Sequence, residues 1–190
     1  MDQDLAQYVK KKALDEGALL VGYTKIRKTE PVIVFGFPFS EGWFLRHPLK
    51  ISRLLGKDHL VSKHVQNITA QMLQSEGYRV RLKTIWSVYG DFRPLAVAAG
   101  LGEWGKNGIV VNKDFGSGLL FAALFTDAPL PVSGETQGAT DPSHCKDCGG
   151  CREACPANAF AGAGFFMHKC LAYCMRGCAE CITACSKKLH

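Results

Sequence analysis

The placement of the cysteines is the feature that most constrains this chain. There are nine, and all of them lie in the C-terminal part of the sequence. The first run reads Cys-x2-Cys-x2-Cys-x3-Cys-Pro and extends from Cys145 to Pro156. A second, less regular set follows it: Cys170, Cys174, Cys178, Cys181 and Cys185. The fold of a segment with so many regularly spaced thiols is dictated by what those thiols bind.

The first run has the spacing that holds [4Fe–4S] clusters in bacterial ferredoxins. In two-cluster ferredoxins, the first three thiolates bind one cluster and the fourth binds the other. We expect the second run to mirror this arrangement. Cluster I is then assigned Cys145, Cys148, Cys151 and Cys185. Cluster II is assigned Cys155, Cys178 and Cys181, with either Cys170 or Cys174 as its fourth ligand.

Zinc and disulfides are the alternative uses of these thiols. A structural zinc ion takes four ligands, usually from paired knuckles, and nine cysteines in such a row exceed one site. A disulfide framework normally has an even count and needs an oxidising compartment. The sequence opens with a charged helix rather than with a signal peptide, so we expect a cytoplasmic protein with reduced thiols.

The formal net charge of +6 does not by itself indicate nucleic acid. Two oxidised clusters with eight thiolates carry roughly −4 in total, which leaves a nearly neutral holoprotein. No basic stretch is interleaved with aromatic residues. We therefore do not expect a nucleic-acid partner, nor a membrane partner, because no apolar run is long enough to span a bilayer.

Hydrophobic periodicity predicts intermixed helices and strands before the cysteines. The predicted helices are Asp2–Glu16, Ser62–Ser75 and Pro94–Ala99, the last ended by Gly100. The predicted strands are Ala18–Tyr23, Pro31–Phe37, Tyr78–Leu82, Gly108–Val111 and Leu119–Thr126. We expect the last two to form a hairpin-like pair. The fold class is α+β: a mixed α/β sandwich body over residues 1–135, followed by a ferredoxin-like 2[4Fe–4S] module over residues 136–190.

A glycine-rich stretch from Gly100 to Gly105 matches the dinucleotide fingerprint G-x-G-x-x-G. That fingerprint needs a strand before it and a helix after it, whereas a short helix precedes it here. We reject the dinucleotide interpretation and expect a turn whose backbone passes close to something bulky. Lys106 and Asn107, which follow, either bind a phosphate or cap the turn.

Three motifs precede the cysteines: G-L-G-x-x-G-K-N at residues 100–107, D-F-G-S at residues 114–117 and T-D-A-P-L at residues 126–130. Two more lie within the second set, namely Cys170-x2-Tyr173 and Gly177-Cys-x2-Cys-x3-Cys185. In this order they resemble the family of epoxyqueuosine reductases and corrinoid-dependent reductive dehalogenases. The resemblance favours Cys170 over Cys174 as the eighth ligand.

The resemblance also implies a body that binds a cobalamin beside the clusters, with the clusters feeding electrons to cobalt. The residues that it places near the corrinoid or near cluster I are Gly100, Gly102, Gly105, Lys106 and Asn107. An ungapped alignment puts Trp86 where the reductases have a proton-donating aspartate. Tyr89 and Asp91 then become the candidate proton donors, although Asp91 also suits the N-cap of the helix that follows.

Two functions follow from these features. The first is an oxidoreductase that passes low-potential electrons through two clusters to a cofactor, such as a corrinoid, or to a small-molecule substrate in the body. The second is a non-enzymatic, ferredoxin-like electron carrier that docks a redox partner protein, which the tryptophan at position 86 favours. Redox-silent clusters that hold the tail together are a third alternative.

Overall fold

The structure is a computed structural model that describes residues 2–26, 30–38, 51–83, 91–132, 145–160, 165–176 and 178–188. The chain divides into two compact units. The first takes in Met1–Pro38, Asp58–Leu101 and Leu120–Gly138, and the second includes Gly102–Leu119 and Ala139–His190. The glycine-rich turn therefore groups with the cysteine segment. The domain boundary at residues 135 and 136 stays a prediction.

The first unit is built on a four-stranded sheet. Its strands are β1 (Leu20–Ile26), β2 (Glu30–Pro38), β3 (Val80–Lys83) and β6 (Leu119–Thr126). They lie in the order β1-β2-β6-β3, with β1 antiparallel to β2 and β3 antiparallel to β6. The two central strands are rich in valine, leucine and phenylalanine, which suit a pleated and buried surface.

Both faces of this sheet are covered, because successive residues of a strand point to opposite sides. On β2, Ile33, Phe35 and Phe37 belong to the main hydrophobic core. Val32 and Val34, which alternate with them, are also fully buried. Burial on both faces is typical of a sheet flanked by other layers, and it confirms the prediction of a mixed α/β body.

Helices α1 (Asp2–Asp15) and α2 (Ile51–Ser75) supply the core on one face. Val9 of α1 and Leu73 of α2 are fully buried in it. The hydroxyl of Tyr23 on β1 donates a hydrogen bond to a carbonyl of α1, at 2.5 Å. The second helix starts at Ile51, earlier than the predicted Ser62. The prediction began too late because Gly56 weakens the helical pattern, although the helix continues through this residue. Among the described residues, no helix is long and apolar enough to cross a membrane.

Helix α3 (Arg93–Ala98) packs against β1 and β2. It ends at Gly100, whose φ of 71° is the left-handed conformation common after a helix C-terminus. A Cβ atom at Gly22 of β1 would lie 2.6 Å from the carbonyl oxygen of Ala99. Gly22 alternates with core residues of β1, so α3 covers the opposite face of the sheet. Glycine at position 22 is what allows this close approach.

The predicted pairing of the last two strands is wrong. Strand β5 (Val110–Val111) pairs instead with β4 (Glu103–Trp104), and Glu103 lies opposite Val111. Strand β6 lies between β2 and β3 in the sheet of the first unit. The physical reason is length and burial: β6 has eight residues that are almost all buried, which suits the centre of a sheet and not a two-stranded hairpin.

Replacement of Gly22 tests the contact between α3 and the sheet. We expect Gly22→Ala to lower the free energy of unfolding by about 1–3 kcal/mol, because the new methyl group meets backbone atoms that cannot move aside. Gly36→Ala on the neighbouring strand is the control, since its Cβ would meet the Leu20 side chain at 3.1 Å. Urea denaturation measures both changes. Equal losses for the two variants would contradict the proposed packing.

Candidate metal centre

Three short helices of the second unit position most of the cysteines. Helix α4 (Gly150–Glu153) carries Cys151 and packs against α6 (Glu180–Lys188). Cys181 and Cys185 lie one turn apart on α6, which places their side chains on the same face. Helix α5 (Met167–Cys174) carries the remaining two helical cysteines. Of the nine thiols, only Cys174 is exposed, and the other eight are partly buried.

Electrostatic repulsion links the first three cysteines with the last one. Burial raises the pKa of the Cys145 thiol, and charge repulsion from Cys185 and Cys148 raises it further. Burial likewise raises the pKa of Cys151, with repulsion from Cys145, Cys148 and Cys185 adding to it. Such mutual repulsion requires proximity. Cys185 on α6 therefore lies within electrostatic range of Cys145 and Cys151.

Electrostatic repulsion also acts on Cys181 and Cys170. Burial raises the pKa of Cys181 to about 12, followed by repulsion from Cys170, Cys178, Cys151 and Cys155. The pKa of Cys170 is also raised, by burial first and then by its neighbours Cys174, Cys155 and Cys178. Cys174 acts on Cys170 but is not among the groups that act on Cys181. Of the thiols that repel Cys181, Cys170 on α5 has the largest effect.

Backbone N–H groups point at two of these sulfur atoms. The Lys106 N–H donates a hydrogen bond to the thiol of Cys145, which opposes the effect of burial on its pKa. The Ala159 N–H lies 3.4 Å from the Cys155 sulfur, behind Asn158, which adopts a left-handed φ of 47°. Sequence reasoning missed Asn158. The available signal was an asparagine just after Cys-Pro, since asparagine tolerates this conformation better than most residues.

The glycine-rich turn is explained by its own hairpin. A Cβ atom at Gly102 would lie 2.7 Å from both a Val110 methyl and the Val111 carbonyl oxygen, and one at Gly105 would lie 2.5 Å from a Val111 methyl. The bulky group that the turn approaches therefore includes its partner strand. Gly100 belongs to the first unit, where it ends α3.

Lys106 and Asn107 hold this turn in place. The Asn107 side chain is buried, and its oxygen accepts a hydrogen bond from the Ile109 N–H at 3.1 Å. Asn107 thus caps the turn. The Lys106 ammonium donates to the Lys146 carbonyl at 3.1 Å, which ties the turn to the first cysteine run. Of the two alternatives for Asn107, these contacts favour capping over phosphate binding.

Asp91 is held by an arginine at the start of α3. Its carboxylate accepts hydrogen bonds from the Arg93 side chain at 2.7 and 2.8 Å and from the Arg93 backbone N–H at 3.1 Å. The side-chain hydrogen bond from Arg93 lowers the Asp91 pKa, which disfavours the protonated form that a proton donor needs. Trp86 and Tyr89 lie outside the described residues.

The described residues suit iron–sulfur clusters better than they suit a corrinoid. Several thiols of the second unit lie within electrostatic range of one another, and thiolate is the ligand that iron–sulfur clusters require. No group of three or more described histidine, cysteine, aspartate and glutamate side chains is arranged to hold a single metal ion.

A groove of about 450 Å³ on the first unit is lined by Arg79, Arg81 and Asp127, among others, and it is too small for a complete corrinoid. It therefore gives no corrinoid site.

Comparison with known proteins identifies relatives, although no family model matches the chain. Epoxyqueuosine reductase from Pseudomonas aeruginosa is 36% identical over 114 residues. The enzyme from Leadbetterella byssophila is 32% identical over 133 residues. Tetrachloroethene reductive dehalogenase from Desulfitobacterium hafniense is 39% identical over 69 residues. The chain is related to the epoxyqueuosine reductases and reductive dehalogenases. The suspected resemblance is thereby confirmed.

The matched regions make up a larger share of this chain than of its relatives, which are longer. The three matches cover 57%, 66% and 36% of the chain. They cover 29%, 41% and 12% of the respective relatives. The chain therefore spans less than half the length of these curated relatives.

Solved structures of the same two kinds share the fold. An epoxyqueuosine reductase in complex with a modified tRNA stem loop matches 100% of this chain and 68% of its own, with a TM-score of 0.70 at 15% identity. A reductive dehalogenase described with B12-dependent dehalogenation matches 93% of this chain and 30% of its own, with a TM-score of 0.74 at 18% identity. At these identities the likeness shows the fold.

The tRNA complex changes one expectation. Nucleic acid was not expected as a partner, because the clusters offset the positive charge. A protein of the same fold nevertheless binds a tRNA stem loop. The charge offset and the lack of a basic stretch interleaved with aromatic residues were therefore insufficient grounds for setting nucleic acid aside.

The ion pair at Asp91 predicts a pH-dependent contribution to stability. A carboxyl group with a lowered pKa stabilises the fold above its unfolded pKa, and this contribution is lost as the pH falls. We expect Asp91→Asn to cost roughly 0.5 kcal/mol near neutral pH, because the pair is half-exposed. The cost should shrink as the pH falls below about 4 and vanish once the pH is below the lowered pKa of Asp91 in the folded protein. Asp114→Asn, at another exposed aspartate, is the control in urea denaturation at several pH values. A difference that persists in acid would contradict this origin.

Proposed function

We propose that this chain is an iron–sulfur electron-transfer protein that passes low-potential electrons through two [4Fe–4S] clusters. The observation that supports the proposal is the electrostatic repulsion among the thiols of the second unit, together with their ferredoxin-like spacing. Cluster I is assigned Cys145, Cys148, Cys151 and Cys185. Cluster II is assigned Cys155, Cys170, Cys178 and Cys181. These clusters would supply one-electron chemistry when bound.

The protein's own groups tune this site. The N–H groups of Lys106 and Ala159 donate to ligand sulfurs, one in each proposed cluster. Such hydrogen bonds favour the reduced state, because they offset the negative charge that an added electron brings. The Lys106 ammonium, which lies against the first cysteine run, acts in the same direction. The proposed role of Lys106 is therefore beside cluster I rather than on a phosphate.

Two hydrogen bonds fix the loops that carry proposed ligands. The Arg152 side chain donates to the Phe160 carbonyl at 2.9 Å and so closes the loop that follows Cys155. The Cys178 N–H donates to the Tyr173 carbonyl at 3.0 Å, which turns the chain from α5 towards α6. Neither contact depends on a cysteine side chain.

A corrinoid-dependent reductase is the second candidate, and the fold favours it. The dehalogenase described with B12-dependent chemistry matches 93% of the chain, so the body belongs to a fold that serves such chemistry. The epoxyqueuosine reductase complex extends this candidate to an RNA substrate. Asp91 as its proton donor would have to leave Arg93, and the described residues provide no alternative acid at this position.

The optical spectrum of anaerobically purified protein tests both candidates together. We expect the broad absorption of [4Fe–4S] clusters, with about eight iron and eight sulfide per chain, and an EPR signal after dithionite reduction. Cluster absorption that dithionite leaves unchanged would sink the electron-transfer proposal and favour a structural role. Incubation with cobalamin, followed by gel filtration, tests the second candidate. That candidate fails if no corrinoid stays bound while both clusters are intact.

The two cysteines of α5 give a matched pair of variants. We expect Cys170→Ser to lose about half of the iron, because cluster II lacks one of its four thiolates. Cys174→Ser is expected to retain the full iron content, since Cys174 is the exposed thiol. Iron and sulfide analysis with EPR measures both. The opposite ranking of the two variants would assign the eighth ligand to Cys174.

A further inference from the structure

We propose that α5 and the residues beside it, Phe165–Arg176, form the docking surface for an acidic protein that donates single electrons to cluster II. This inference rests on the proposed function and names the partner that the site would take. We call Phe165–Arg176 the α5 surface. Its three properties are an unburied apolar face, a positive charge without acidic residues, and a cluster ligand at its centre.

The apolar character of the α5 surface is the first property. No residue of α5 is buried, although the segment is rich in large hydrophobic side chains. Met167 is 70% exposed, Leu171 is 55% exposed and Met175 is 75% exposed. Phe165, Phe166 and Tyr173 are exposed as well. Contiguous exposed apolar side chains of this kind mark interaction sites rather than ordinary surface, and methionine adapts readily to a partner.

The charge of the α5 surface selects the kind of partner. It carries Lys169 and Arg176, both exposed, and it contains no aspartate or glutamate. The Lys169 ammonium lies 5.3 Å from the centre of the Phe166 ring, so a positive charge lies on the apolar patch itself. An apolar centre with positive charge complements an acidic protein surface.

The position of Cys170 links the α5 surface to electron transfer. Met167, Cys170, Leu171 and Cys174 are spaced at three and four residues and so share one face of α5. The proposed ligand of cluster II therefore lies among the exposed apolar side chains. A protein seated on this face would bring its redox centre next to cluster II without any opening of the fold. Each transfer moves one electron from the donor to one cluster, and no atom or proton needs to be exchanged.

The test uses the full chain with both clusters and a reduced acidic flavodoxin as the probe. Anaerobic stopped-flow absorbance follows flavin oxidation and yields a second-order rate constant. We expect this constant to fall as salt is added. We also expect it to fall about fivefold in Lys169→Glu and about tenfold in Leu171→Glu. The matched controls are Lys11→Glu and Leu60→Glu, at exposed positions of α1 and α2, and they should leave the constant unchanged.

Two measurements separate docking from cluster integrity. Iron content and the EPR signal after dithionite reduction should be the same in all variants, because dithionite is small and needs no docking surface. The proposal is overturned if flavodoxin reduces the parent and both α5 variants at equal rates. It is also overturned if sedimentation shows a dimer that Leu171→Glu converts to a monomer, since the surface would then bind a second copy. A parent without cluster absorption before any donor is added would instead overturn the proposed function, and the docking proposal with it.

Discussion

Convergence of thiols is the constraint on which the second unit depends. Burial and repulsion between thiols both raise the pKa values of Cys145, Cys151, Cys170 and Cys181, to about 12 for Cys181, which favours their neutral form. Binding of a metal cluster requires thiolates and releases their protons. The protein must therefore hold the sulfurs close together before the cluster offsets their charge. It does so with helix packing between α4 and α6 and with loop hydrogen bonds that do not involve sulfur. In this proposal the chain itself, and not a cluster alone, organises the site.

The glycine-rich turn shows how this organisation extends beyond the cysteines in sequence. Gly102 and Gly105 allow β4 and β5 to approach closely, and the resulting turn presents the Lys106 N–H to Cys145. A larger residue at either position would push the hairpin apart, and the N–H group would lose its direction. The motif resembles a nucleotide-binding fingerprint in its sequence pattern but not in its structural context. Its physical role is to bring a backbone donor and a positive charge to a sulfur atom.

Local patterns predicted the elements of the first unit better than their pairing. The end of α3 at Gly100 followed from glycine chemistry, and the buried strand β2 followed from its apolar run. The place of β6 could not be inferred in this way, because its partner β3 lies far away in sequence and its own pattern is apolar on both faces. In the site, the division of the cysteines into two ligand sets stays a prediction from their spacing. Asn158 was missed, because its role depends on a backbone conformation rather than on its chemistry.

The exposure of α5 bears on a conflict that the proposed electron-transfer site has to resolve. A cluster ligand benefits from burial, which excludes water and stabilises the metal–sulfur bonds, yet electrons must enter through a thin layer of protein. In this chain Cys181 is buried most deeply among the thiols with shifted pKa values, whereas Cys170 lies on a helix without buried residues. The two ligands belong to the same proposed cluster. The cluster would thus be shielded on the α6 side and open on the α5 side, so that electrons enter from one direction.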